Sequence, residues 1–156
     1  MWIRFDLDEP SAPTAELPLL GGGRLNLAER RSEANRALFF AHGLECAECR
    51  AAIQRLSAVK EALRELEAEA LVVLPEAAPV GVSQVPGIPL LVDPVDRLRK
   101  RYAALFEFDL PGDVMMFLLD RNGSPFRAWV GEEADPQALI DESLAQLGTL
   151  ELRCPE

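Results

Sequence analysis

The sequence predicts an α/β fold in which helices flank a central mixed β-sheet. Three observations support this: apolar runs of strand length alternate with amphipathic stretches, the first such unit is strand, helix, strand, and an Asn-Gly turn reverses the chain later. The 156 residues, 49% of them apolar, suffice to bury one core, so a single domain spanning 1–156 is expected.

Residues 1–35 are predicted to form an N-terminal extension that packs onto the domain as a β-hairpin. Residues 15–20 and 24–27 flank the triplet Gly21-Gly22-Gly23, which is typical of a turn, and nearby prolines disfavour a helix. No Lys-Ser or Lys-Thr follows the glycines and no strand-to-helix context surrounds them, so a phosphate-binding loop is disfavoured.

The first half of the predicted core is a parallel strand–helix–strand unit. A buried strand is expected from Arg36 to Ala41, and a second from Ala70 to Leu74, where Pro75 stops it. Between them apolar residues recur at three- and four-residue steps, which predicts one long amphipathic helix. That apolar stripe consists of Ile53, Leu56, Val59, Leu63 and Leu66.

The second half is predicted to add a short strand, a helix, a β-hairpin and a final helix. The expected elements are a loop over 75–89, a strand over 90–92, a helix over 95–105, strands over 114–119 and 125–130, and a tail over 149–156. Asp120-Arg121-Asn122-Gly123 is the predicted hairpin turn. Asp135 is expected to cap the last helix, with Pro136 at its first position and Gly148 at its end.

The net charge and the lack of targeting signals limit which classes of partner and which cellular location are expected. Sixteen basic and 26 acidic side chains give a net charge of −10, which disfavours nucleic acid and anionic membranes as partners. The first ten residues have no basic segment followed by an apolar one, and no apolar run has the length of a membrane span. A cytoplasmic location is therefore expected.

Cys46 and Cys49 form a C-x-x-C pair at the predicted junction of strand and helix. Unpaired backbone N–H groups and the helix dipole favour a thiolate at Cys46, and Cys49, one turn further on, is the natural resolving thiol. A clustered pair suggests redox catalysis, redox sensing or metal binding rather than a secreted disulfide framework. Two incidental buried thiols, or a zinc site formed with His42 and Cys154, remain alternatives.

Four neighbours of the pair are candidate supporting residues. His42, the only histidine, suits a base for Cys46 or a hydrogen-bonded structural role, and Arg50 would supply positive charge or point to solvent. The carboxylates of Glu45 and Glu48 disfavour the thiolate of Cys46, which predicts a pair at the reducing end of the redox scale. Cys154 would be a second resolving thiol or an idle residue of the tail.

Three passages carry a resemblance to a known family. They are residues 39–50 (FFAHGLECAECR), residues 89–94 (PLLVDP) and residues 117–123 (FLLDRNG) with Trp129-Val130-Gly131 after them. Together with the order of the elements, they resemble the thioredoxin fold and its peroxiredoxin-like branch, the alkyl hydroperoxide reductase and thiol-specific antioxidant group. The resemblance implies a thioredoxin-like domain.

The resemblance also implies an activity, a thiol–disulfide oxidoreductase or thiol-dependent peroxidase. Cys46 would attack a peroxide or disulfide substrate, Cys49 would close the bridge, and a thioredoxin-type reductant would reset it, without a cofactor or metal; homodimers are common in the group. The proline and threonine of the family's P-x-x-x-T-x-x-C pattern are replaced by Phe39 and Gly43, and its arginine by about Val114. These departures predict weak peroxidase activity, with an inactive binding or redox-sensing module as the alternative.

Overall fold

The computed structural model describes residues 1–5, 11–29, 34–75, 87–106, 114–132 and 135–153, with side chains described up to residue 150. Its strands are β1 (Trp2–Arg4), β2 (Glu16–Pro18), β3 (Arg24–Asn26), β4 (Asn35–Phe40), β5 (Ala68–Leu74), β6 (Leu90–Val92), β7 (Val114–Leu119) and β8 (Pro125–Gly131). Its helices are α1 (Ala47–Ala58), α2 (Lys60–Glu65), α3 (Arg97–Ala103) and α4 (Pro136–Arg153). A 3-10 turn, Pro94–Asp96, precedes α3.

Six strands form one mixed sheet in the order β1-β8-β7-β4-β5-β6. β4, β5 and β6 run parallel, whereas β7, β8 and β1 each pair antiparallel with their neighbour. The predicted thioredoxin-like fold, a mixed sheet flanked by helices, is confirmed. Within the described part of the chain, no helix is long and apolar enough to span a bilayer.

Two apolar layers cover the two faces of the sheet. Successive residues of β4 alternate between them: Ala37 and Phe39 face one layer, and Leu38 and Phe40 the other. The first layer contains buried residues of α1, α2 and α4, and the second contains those of α3 and the hairpin β2–β3. β4 lies between β5 and β7 and is buried on both faces, as its continuous apolar run predicts.

The N-terminal segment contributes to both edges of the sheet. The hairpin β2–β3 is confirmed, and the backbone N–H of Leu20 beside it donates to Leu90 O of β6 (2.8 Å). β1 was not predicted; it pairs with β8 at the opposite edge, with Trp2 opposite Trp129. A strand of three residues leaves too little periodicity to be seen in a sequence, and its pairing satisfies the otherwise open edge of β8.

Two helix predictions are wrong. The single long helix is divided at Val59, whose φ of −103° and ψ of 15° leave the helical region, although Leu56 and Leu63 on either side remain buried. Gly148 does not end the last helix, which continues to Arg153. The buried Leu150 extends the apolar stripe beyond the glycine, and this packing offsets the glycine's low helix propensity.

The remaining boundaries differ from the predictions by one or two residues. β4 runs one residue earlier than predicted, β5 begins at Ala68, β8 ends at Gly131, and β6 and β7 agree with their predicted bounds. The antiparallel hairpin β7–β8 has the predicted turn, in which Gly123 has a φ of 82°. Most of the predicted loop over 75–89 and the tail residue Cys154 lie outside the described residues.

Candidate active site

Cys46 lies where the chain leaves the centre of the sheet and enters α1. After β4, the N–H of Ala41 still donates to Val73 O (3.1 Å), and a short loop then leads to Cys46, which is the N-cap residue of α1. Its backbone is extended, and its Sγ accepts a hydrogen bond from the backbone N–H of Cys49 (3.3 Å). The half-buried sulfur therefore occupies the position of a helix-capping oxygen.

Cys49 lies one turn further along α1 and is only 2% exposed. Its Sγ accepts a hydrogen bond from the backbone N–H of His42 (3.3 Å). Burial raises the pKa of the Cys49 thiol to about 11. A hydrogen bond with Cys46 and negative charge on Cys46 raise this pKa further, whereas hydrogen bonds from the backbone N–H groups of His42 and Gly43 lower it. Cys49 is thus held as a neutral thiol beside its partner.

The loop and the helix bring three reactive atoms together. A ring nitrogen of His42 and the Sγ atoms of Cys46 and Cys49 all lie within 4.8 Å of one another, and both cysteines are free thiols. A disulfide requires a sulfur–sulfur distance of about 2.05 Å, so closure needs a small movement of side chains on one helical turn. Of the predicted site residues, these three form one cluster.

The other candidate supporting residues lie at the surface around this cluster. Glu45 and Glu48 are exposed, and no contact between them and the sulfur atoms is among the interactions of the described residues. Arg50 donates from Nη1 to Leu44 O (3.2 Å), so its guanidinium holds the loop that leads to Cys46. The influence of the two carboxylates on the thiolate therefore stays a prediction.

This site departs from the peroxiredoxin pattern at two positions whose surroundings the structure describes. Gly43, in place of threonine, has a φ of 151°, which a β-branched residue rarely adopts, so the loop follows a path that favours glycine. Val114, in place of arginine, is buried at the start of β7 in the same apolar layer as Cys49. The position that would carry the arginine is therefore an apolar core residue.

Sequence reasoning did not find the groups that hold the sulfur atoms. The backbone N–H groups of His42 and Cys49 are the donors, and a backbone group leaves no signal in the residue types. The sequence suggests His42 as a base through its side chain, whereas its backbone N–H makes the contact to Cys49. The only available signal was the C-x-x-C spacing at a helix start, which places the N–H of the second cysteine next to the first sulfur.

Comparison with known proteins identifies the architecture. No protein-family model matches the sequence, and no curated protein matches it in sequence. Among solved structures, peroxiredoxin Q from Xanthomonas campestris is similar at 19% identity and a TM-score of 0.71, over 90% of this chain and 95% of that one. The chain has the peroxiredoxin fold.

Two further structures agree with this peroxiredoxin fold. The bacterioferritin comigratory protein of Xanthomonas campestris, described for its alkyl peroxide reduction activity, has 20% identity and a TM-score of 0.68 over 85% of this chain and 87% of that one. Thioredoxin peroxidase I from Plasmodium yoelii has 17% identity and a TM-score of 0.73 over 95% and 94% of the two chains. At these identities the likeness is one of fold.

Proposed function

We propose that the protein is a thiol-dependent peroxidase in which Cys46 is the attacking residue and Cys49 the resolving residue. The observation that carries the proposal is the unequal environment of two sulfur atoms on one helical turn. Cys46 is half-buried at the helix N-terminus, where the backbone N–H of Cys49 stabilises a developing thiolate. Cys49 is buried with a raised pKa, so it retains its proton until the first step has occurred.

The proposed cycle has three balanced steps. The Cys46 thiolate attacks a peroxide oxygen, the O–O bond breaks, and the products are a sulfenic acid and, after protonation, an alcohol or water. The Cys49 thiol, losing its proton, then attacks the sulfenic sulfur, which closes the Cys46–Cys49 disulfide and releases water. An external dithiol exchanges with this disulfide and restores both thiols while it is itself oxidised.

The substrate and the reductant follow from the same proposal. Neighbours of the same fold include a protein described for alkyl peroxide reduction and one named a thioredoxin peroxidase, which supports a peroxide as oxidant and a thioredoxin-type protein as reductant. A protein disulfide is the second oxidant to test, because the same pair performs thiol–disulfide exchange. The proposal includes a cytoplasmic location, since a reducing compartment keeps such a pair reduced between turnovers. It also includes a homodimer as the oligomeric state.

The decisive experiment traps the two intermediates by mass spectrometry. The variants under test carry Cys154→Ser so that only two thiols are counted. The unmodified chain, which keeps Cys154, is measured in parallel. After one equivalent of alkyl peroxide, we expect a loss of two mass units at a Cys46–Cys49 bridge, as two thiols become one disulfide. In Cys49→Ser, a sulfenic acid at Cys46 should accumulate and react with a 1,3-dicarbonyl probe.

The contrary outcome is equally specific. If peroxide leaves both thiols alkylatable while the protein stays folded, or if Cys49 rather than Cys46 carries the sulfenic acid, the peroxidase proposal is wrong. A bridge that forms with a protein disulfide but never with peroxide would assign thiol–disulfide exchange instead. Absence of the bridge with either oxidant would leave a binding or redox-sensing module.

A further inference from the structure

The cluster at the start of α1 contains a metal-ligand set as well as a redox pair. One imidazole nitrogen of His42 and the two Sγ atoms of Cys46 and Cys49 lie within 4.8 Å of one another. In a tetrahedral zinc site, bonds of about 2.0–2.3 Å place neighbouring ligand atoms roughly 3.3–3.8 Å apart. Each pair of ligand atoms therefore needs to approach by about 1.5 Å at most, which side-chain rotation can provide.

The surroundings of the two sulfur atoms suit metal-bound thiolates. Each Sγ already accepts a backbone hydrogen bond, that of Cys46 from the N–H of Cys49 and that of Cys49 from the N–H of His42, both at 3.3 Å. Such hydrogen bonds disperse the negative charge of a coordinated thiolate and fix its orientation. The buried Cys49 forms the floor of the site, and the exposed His42 ring stands at its solvent side.

We propose that the reduced protein binds one zinc ion through His42, Cys46 and Cys49. Two thiolates and one imidazole form a donor set that favours zinc, a borderline-soft d¹⁰ ion, over magnesium or calcium. Binding releases the two thiol protons to solvent, so Zn²⁺ and two thiols give a neutral zinc–dithiolate unit and two protons. Unlike the zinc site considered from the sequence, this one does not require Cys154.

The fourth coordination position remains open. Glu45 and Glu48 are the nearest carboxylates in sequence, but neither belongs to the group of possible ligands that the described residues form here. Three protein ligands with an open position are typical of reactive rather than structural zinc sites, and water or an exogenous thiol would occupy the position.

Zinc and oxidation would compete for the same pair. A zinc-bound Cys46 is not available to a peroxide, and a Cys46–Cys49 disulfide cannot coordinate zinc as two thiolates. Zinc would hold the proposed peroxidase in a reduced, inactive state until a chelator or a competing thiol removes it. This regulatory consequence rests on the proposed function, whereas binding itself requires only the three ligands.

The test measures metal binding without any turnover. Reduced protein, unmodified and with Cys154→Ser, is titrated with Co²⁺ to record the thiolate-to-cobalt absorption band and then with Zn²⁺ against a chromophoric chelator. We expect one ion per chain and a zinc dissociation constant below about 1 µM. His42→Ala should weaken binding by about tenfold or more, and Cys46→Ser by more than that, because each removes a direct ligand.

Controls and contrary outcomes follow from the ligand set. Glu45→Gln and Glu48→Gln should leave the zinc dissociation constant within about twofold, since neither carboxylate is in the group. Zinc binding weaker than about 1 µM, or an affinity that His42→Ala leaves unchanged, would overturn the proposal. Failure of the peroxidase assay with intact zinc binding would remove only the proposed function, and a peroxide-driven disulfide without zinc binding would remove only this inference.

Discussion

Two strand-to-helix junctions of the same sheet are built alike and capped differently. At the end of β4, the half-buried Sγ of Cys46 accepts from the N–H of Cys49 at the start of α1 (3.3 Å). At the end of β6, Asp93, 2% exposed, accepts with one oxygen from the N–H of Leu98 (3.0 Å) and with the other from that of Arg99 (2.9 Å). One junction is capped by a single sulfur and the other by a buried carboxylate.

The carboxylate cap of α3 favours stability, whereas the sulfur cap of α1 favours reactivity. A carboxylate at a helix N-terminus makes charge-assisted hydrogen bonds that satisfy the free N–H groups, so α3 is anchored firmly. Sulfur is a weak acceptor, and the positive end of α1 is therefore left to stabilise a thiolate when one forms. We infer that the β4–α1 junction gives up capping strength for chemistry, whereas the β6–α3 junction is structural.

Cys46→Ser should show the largest effect, and it should act on activity rather than on stability. We expect peroxide turnover with a dithiol reductant to fall at least about a thousandfold, because serine is not a nucleophile at neutral pH without a base. Serine is a better N-cap than cysteine, so the free energy of unfolding should stay within about 1 kcal/mol of the parent or rise. Urea unfolding and peroxide consumption measured on one preparation check both parts. A marked loss of stability would contradict the weak-cap interpretation.

Asp93→Ala should show the opposite pattern. Loss of the carboxylate leaves two helix N–H groups without their acceptor in a buried position, and we expect about 2–3 kcal/mol of destabilisation by urea unfolding. Activity per folded molecule should change little, since Asp93 belongs to the other junction.

Asp135→Ala provides the matched control for this comparison. Asp135 is exposed, accepts from the N–H groups of Gln137 (3.1 Å) and Ala138 (3.2 Å), and caps α4 as predicted. Its loss should cost about 1 kcal/mol, because water can replace an exposed cap. Equal costs at Asp93 and Asp135 would mean that burial does not strengthen the β6–α3 junction.

The pH dependence of stability should reveal the buried member of the pair. Burial raises the pKa of Cys49 from its ordinary value of 9.0 to about 11, so the folded protein holds a proton that the unfolded chain releases. This contribution is fully present below pH 9 and is lost as the pH rises towards 11, by up to about 2 kcal/mol. Urea unfolding of the reduced protein across this range, compared with Cys49→Ala, isolates it; parallel profiles would show that Cys49 does not titrate in this way.

The sequence predicted those elements whose signals are local. The continuous apolar run of β4, the Asn-Gly turn between β7 and β8 and the Asp135-Pro136 start of α4 each carry their own pattern, and each is present. The division of the helix at Val59 is marked by neither Gly nor Pro. The continuation of α4 past Gly148 depends on Leu150 packing into the core, which is a tertiary effect.

The candidate site was predicted in its residues but not in its arrangement. The C-x-x-C spacing indicated Cys46 and Cys49, while the approach of the His42 ring depends on a loop with Gly43 at a φ of 151°. Backbone conformation of this kind is set by the surrounding chain rather than by any pattern of residue types. The unequal burial of the two thiols likewise depends on the apolar layer that covers Cys49.

The smallest expected effects are backbone effects that again set the two junctions apart. Gly43→Thr introduces the threonine of the peroxiredoxin pattern, but the φ of 151° should cost about 1 kcal/mol of stability although nothing lies within 4 Å of an added Cβ. At the other junction Val95 has a φ of 55° and is 75% exposed, so Val95→Gly should stabilise by about 1 kcal/mol. Thermal and urea unfolding of both variants provide the measurement. If Gly43→Thr is neutral and raises peroxide turnover, the loop can adopt the family's conformation and the departure at Gly43 is not conformational.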